Sequence, residues 1–131
     1  MSVLPPYARL LGLVAEPQAD GPPLLVMPFA DPVIGRPGFL HGGAISGLLE
    51  MAALVALRHA LGEDGRIKPV NVTVDFMRGG RDKPTHAAGV VTRLGARVAN
   101  VEASAWQDSP DAPIARARLN YLLVRADGRP G

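Results

Sequence analysis

The 131-residue chain has no cysteine. Disulfides, cysteine-ligated metals and thiol nucleophiles are therefore excluded, and nothing calls for an oxidising compartment. It also lacks an excess of either charge. Fourteen basic residues face twelve acidic ones, a formal net charge of +2, and the basic residues form no long run. A dedicated nucleic-acid binder shows a basic stripe or a readable module, so no nucleic-acid partner is expected. The start, MSVLPPYARLLGLV, has no basic leading region and places two prolines before any apolar run, which argues against a secretory signal. A long uninterrupted apolar run is missing too. The stretch Ala44 to Leu57 is broken by Glu50 and is too short to span a bilayer. The expectation is a cytoplasmic protein with no membrane partner.

What is present is enough for one hydrophobic core. Hydrophobic residues make up 47% of the chain, and its length suits a single domain, residues 1–131. Pro5 and Pro6 precede Tyr7–Leu11, which ends at Gly12, consistent with one short helix. Leu24–Met27 reads as a strand. The segment PFADPVIGRPG, from Pro28 to Gly38, is too rich in proline and glycine for a regular element. From about Gly42 to Leu61 good helix formers dominate, and apolar residues occupy nearly every face. That pattern predicts a buried helix, stopped by Gly62 and Gly65. The period then changes. Val70, Val72, Val74 and Phe76 alternate with Asn71, Thr73, Asp75 and Met77, which predicts a strand. Arg78–Asp82 reads as a turn. Further strands are expected over Thr85–Leu94, Val98–Gln107 and Ile114–Val124, with Ala99, Val101, Ala103 and Ala105 on one face of the third of these four strands. Trp106 falls opposite those alanines, where it could pack on the helix or line an interface. Short connections predict that the four strands form an antiparallel meander. The fold class is α+β, a curved antiparallel sheet wrapped around a long helix.

Chemistry concentrates at that helix. Glu50 is the only charged residue between His41 and Arg58. An ionised carboxylate is costly to bury unpaired, so it needs a partner, a raised pKa or a cavity wall to face. A general base or nucleophile in an apolar cleft is one reading, and a structural glutamate bonded to a nearby donor is the other. His41-Gly42-Gly43 opens the helix. Two glycines there expose backbone N–H groups with no side chain to block a ligand, and the helix dipole favours negative charge. An oxyanion hole needs such donors; a tight helix entry would need the same glycines. Gly42 and Glu50 lie eight residues apart, roughly 12 Å along one helix. One carbonyl cannot easily reach both, so a shared site calls for two subunits, with antiparallel helices across a two-fold axis. His41 could act as a general base, although holding the loop suits a helix entry better. Arg78, Arg93 and Arg97 could bind phosphates of a nucleotide-bearing thiol, or be solvated turn charges. His59 and His86 read as structural or surface residues.

The stretch G-F-L-H-G-G-A-I-S-G-L-L-E resembles the signature of hotdog-fold thioesterases, in the PaaI-like branch associated with phenylacetate and 4-hydroxybenzoyl-CoA. V-N-V-T-V-D-F-M-R-G-G looks like that family's first long strand and T-R-L-G-A-R-V-A-N-V-E-A like its central hairpin. The resemblance runs from about Leu24 to Val124. It implies a hotdog fold of five or six strands, a homodimer often paired again into a dimer of dimers, acyl-CoA substrates, no cofactor and no metal. It places the catalytic acid at Glu50 and the oxyanion-donating glycine at Gly42, beside His41 and Gly43. Members often carry Asn or Gln six residues before the histidine and Ser or Thr one turn after the acid. Those substrate-side positions are Gly35 and Leu54 here. Two rival functions share the scaffold: an acyl-CoA or small-ligand binding protein without turnover, and a hydratase or dehydratase of acyl thioesters.

Overall fold

The computed structural model describes residues 4–62 and 65–124. Proline at the helix start and an arginine in the last turn suit a short helix α1, Pro6–Leu10. Two short strands follow, β1 (Val14–Glu16) and β2 (Leu24–Met27). The proline-rich segment holds only a single 3-10 turn at Asp31–Val33. The long helix α2 spans Gly42–Leu61, as its run of Ala and Leu demands. Four long strands complete the chain: β3 (Arg66–Phe76), β4 (Thr85–Leu94), β5 (Val98–Trp106) and β6 (Ala115–Val124).

The six strands form one antiparallel sheet in the order β1-β2-β4-β5-β6-β3. It curves around α2, the hotdog arrangement. Small residues let the sheet close on the helix. Ala99, Ala103, Ala105, Ala115 and Ala117 are all buried, and a Cβ on Gly89 of β4 would lie 2.7 Å from the Ala52 carbonyl oxygen. Leu48, Leu49 and Leu57 of α2 are fully buried, each worth about 1.5–3 kcal/mol of removed apolar surface. By length and composition alone α2 could cross a membrane; in this fold the sheet covers its apolar side. On the opposite flank Tyr7 of α1 lies over Gly47, where any Cβ would strike the tyrosine ring.

Several expectations change, and one of the two places open to Trp106 is removed. The four long strands are not a simple meander. Only β4-β5-β6 is one; β3 leaves the run and pairs with β6 at the far edge. The residues read as a turn at Arg78–Asp82 are part of a longer crossing, pinned where the Met77 and Arg78 N–H groups donate to the Ile114 carbonyl. Placing β3 beyond β6 lets the sheet wrap the helix instead of ending flat beside it. The strand also begins at Arg66 rather than Val70, because a register shift between Pro69 and Asn71 leaves Val70 unpaired and interrupts the alternation. Trp106 does not touch the helix side of the sheet. The alanines of β5 face α2, so Trp106 points outward and stacks on His86, with centroids 6.0 Å apart.

α2 packs mainly on β4 and β5 and barely reaches β3. β3 is therefore an edge strand of eleven residues with most positions exposed. Val70, Val72, Phe76 and Met77 lie on or beside it in contact with solvent.

Candidate active site

The start of α2 is built by its two glycines, and they do different work. His41 is the N-cap, and its Nδ1 accepts the Gly43 N–H at 2.8 Å. The imidazole therefore does the job usually given to Ser or Asp. A Cβ on Gly43 would lie 3.0 Å from that Nδ1, so the cap depends on glycine. The Ala44 and Ile45 N–H groups donate to the His41 carbonyl. That leaves the Gly42 N–H without a hydrogen-bond partner among the described residues, on an exposed residue. Its nearest side-chain neighbour is Phe76 at the end of β3, whose Cζ would sit 3.6 Å from a Cβ on Gly42. One free donor, at the positive end of a twenty-residue helix and beside an aromatic ring, suits an oxygen that develops negative charge.

The loop before the helix is fixed from two sides. The His41 N–H donates to Val33 O at 2.8 Å and the Leu40 N–H to Gly80 O at 2.9 Å. Gly35 packs directly on this entry. A Cβ there would lie 3.0 Å from His41 Cα, so no side chain fits without moving the loop.

Glu50 lies two turns further along α2, half-buried. Its carboxylate forms no hydrogen bond or ion pair with any described residue; the one ion pair among them is Lys83–Asp108. It lies near the hydroxyl of Tyr121 on β6. Burial, and secondarily the Glu50 charge, pushes the Tyr121 pKa up to about 12. Tyr121 pairs with Pro69 on β3 and Ala99 on β5, so the acid faces the β6 side of the sheet, towards the open edge. Leu54, one turn on, is half-buried and apolar.

Gly35, His41, Gly42 and Gly43 thus come together with Phe76. Glu50 belongs instead with Tyr121, and Leu54 lies one turn further along the same helix. One chain does not bring the two groups together. Arg78 follows two residues after Phe76, at the start of the crossing whose N–H groups bond the Ile114 carbonyl. Arg93 and Arg97 flank the β4–β5 turn, beyond the point where Gly89 meets Ala52 and Ala56, towards the far end of the helix. Phe76 and Tyr121 were missed as site residues in the sequence. Tyr121 had a usable signal, being the one side chain with a polar tip in the inward set Ala115, Ala117, Leu119, Tyr121 and Leu123.

Residues 37–114, more than half of the chain, match the model of the Thioesterase superfamily. The chain belongs to that superfamily. Comparison with curated proteins returned no match. Among solved structures it is similar to a protein from Chromobacterium violaceum at 35% identity, covering 90% of this chain and 82% of that one, with a TM-score of 0.75. A thioesterase from Haemophilus influenzae shares 18% identity over 91% of this chain and 82% of that one, TM-score 0.80. A phenylacetic acid degradation-related protein from Ralstonia eutropha shares 21% over 92% of each chain, TM-score 0.78. The last two likenesses are of fold.

Proposed function

We propose that this superfamily member hydrolyses acyl-CoA thioesters to a free acid and coenzyme A, in the manner of the PaaI-like branch, at a site shared by two copies of the chain. The observation that carries this reading is the pair of unsatisfied groups on one helix. Among the described residues the Gly42 N–H has no acceptor and the Glu50 carboxylate has no donor. The acyl carbonyl oxygen accepts from the Gly42 N–H, which stabilises the tetrahedral oxyanion. Glu50 of the partner subunit either attacks the carbonyl carbon or takes a proton from the attacking water. The C–S bond then breaks and coenzyme A leaves as a thiolate. His41 serves by capping the helix and holding Gly42 in place.

The edge strand supports the dimer. An exposed edge of this length is a template for another strand. The outward face of β3 carries Arg66 and Lys68 at one end and Asp75 at the other, by its pairing with β6. An antiparallel copy sets those opposite charges against each other; a parallel one sets like against like. The same two-fold axis carries Glu50 of one chain towards Gly42 of the other, and Arg93 and Arg97 towards the mouth beside Arg78. Pairing of two such dimers, and a cytoplasmic setting, belong to this reading as well.

Free-thiol release from short, medium, long and aryl acyl-CoAs tests it, with Glu50→Gln run beside the wild type. Turnover that falls by two orders of magnitude or more in the variant, with the dimer intact, is the expected result; unchanged turnover sinks the assignment. One observation favours a second reading. Gly35 has no room for the amide found in relatives of this type, and Leu54 offers no hydroxyl. Saturable acyl-CoA binding without thiol release from any substrate would make the chain a binding protein on the same scaffold. Release of no thiol with hydration of enoyl thioesters would make it a hydratase.

A further inference from the structure

Beside the helix entry two arginines share one ring. The Arg36 guanidinium carbon lies 4.1 Å from the centre of the Phe39 ring, and that of Arg81 lies 4.5 Å from it. The two cations are thus within about 9 Å of each other, both at cation–π distance. Neither forms an ion pair with a described residue, and both are exposed. Two like charges share one ring, and neither has an ion-pair partner among the described residues.

The surroundings hold the arrangement still. Phe39 and Arg81 are joined by an antiparallel bridge. The Gln107 side chain grips the Arg81 backbone from both sides: its Oε1 accepts the Arg81 N–H at 2.9 Å and its Nε2 donates to the Arg81 carbonyl at 3.0 Å. Arg36 is fixed by the turn in which the Phe39 N–H donates to its carbonyl at 2.9 Å. Glycine at position 79 gives the ring its place, since a Cβ there would come within 3.2 Å of it. A guanidinium over a ring still has N–H donors to spare, and these match phosphate oxygens two at a time. Phe39 is three residues before Gly42, so their Cα atoms are at most about 11 Å apart. The arginine side chains extend that reach.

We infer that Arg36 and Arg81, set around Phe39, bind the phosphates of the nucleotide end of coenzyme A, while its pantetheine arm runs to the Gly42 N–H of the same chain. This rests on the acyl-CoA reading above, and it assigns the phosphates to a pair of residues other than Arg93 and Arg97.

The test is the double variant Arg36→Gln/Arg81→Gln, compared with Arg93→Gln/Arg97→Gln. Each is assayed with an acyl-CoA and with the same acyl group on pantetheine, which has no phosphate. The first variant should raise KM for the acyl-CoA roughly ten-fold or more, as expected for lost charge-assisted hydrogen bonds. It should leave kcat, and all constants for the acyl-pantetheine, unchanged. The wild type's loss of acyl-CoA affinity with added salt should flatten in the same variant. Equal damage with both substrates would mean that the stack only supports the loop, and would overturn the inference, as would an unchanged KM or a rise confined to the Arg93/Arg97 variant. Calorimetric binding of coenzyme A separates this from the fate of the hydrolysis reading. Loss of coenzyme A binding in the Arg36/Arg81 variant supports the site even if no thioester is turned over. Equal binding by variant and wild type, or none by the wild type, refutes it.

Discussion

If each active site takes its N–H from one chain and its acid from the other, two dead proteins should make a live one. Gly42→Pro removes the unpartnered N–H and little else. Residue 42 is the first of α2, where proline is well tolerated. The preceding residue, His41, already has the extended ψ of 134° that proline favours in its neighbour. The new Cβ would meet the Phe76 ring at an ordinary 3.6 Å. The helix should therefore form, while loss of one oxyanion donor lowers kcat about 10²- to 10³-fold. Glu50→Gln should be inactive for the separate reason given above. Co-expression with two affinity tags, and purification of everything that forms, gives roughly half mixed dimers at equal expression. A mixed dimer has one site with both defects and one with neither. Thiol release should return to about one quarter of the wild-type rate, and to about one half in the purified mixed dimer. The two groups lie roughly 12 Å apart on one rigid helix, so sites confined to single chains would each keep one defect. Mixed dimers no faster than the better of the two parents would refute the shared site.

Two further outcomes follow from burial. Tyr121 has its pKa raised by burial, and then by Glu50, from 10.0 to about 12. Its contribution to stability is intact below pH 10 and falls as pH rises towards 12, by roughly 2 kcal/mol; urea titrations should show this loss in the wild type and not in Tyr121→Phe. Gly89→Val should lower stability by about 1–3 kcal/mol, because its Cβ would press on the backbone of α2 at Ala52; an unchanged urea midpoint would mean that the sheet can retreat from the helix at no cost.

The helix and the long strands were legible because each has a period that burial enforces. α2 is apolar around most of its circumference, and β5 and β6 alternate strictly between buried and exposed. β1 was not legible: its three residues are all exposed, so no pattern marks them. The place of β3 was not legible either. Periodicity tells which face of a strand is inward and says nothing about which neighbour it takes, and the crossing to β6 is fixed by backbone bonds to Ile114. At the site, Glu50 stood out as a lone charge and Gly42-Gly43 as an open helix start. The division of labour between the two glycines was hidden, because it depends on the rotamer of His41. Tyr121 and Phe76 reach the site through strand pairing, which no local pattern encodes.

The bare position at Gly35 bears on the choice between the two roles of Glu50. An amide cannot be restored there by substitution, since the His41 backbone fills the space. That same stretch of backbone sets the Gly42 N–H in place, through the bonds of His41 to Val33 and of Leu40 to Gly80. In the proposed mechanism the loop thus has no side chain at Gly35 to hold a water, and it keeps the Gly42 N–H close-packed as the oxyanion donor. Around Glu50 the balance is similar: Leu54 is apolar, and the Tyr121 hydroxyl is the polar group its charge is felt by. General-base catalysis needs a water held between acid and carbonyl, in hydrogen-bond reach of both. Direct attack needs only the carboxylate and the carbonyl, with water entering later to open the resulting anhydride. Direct attack needs no held water, and the filled space at Gly35 and the apolar Leu54 suit it, so in this reading Glu50 acts as the nucleophile.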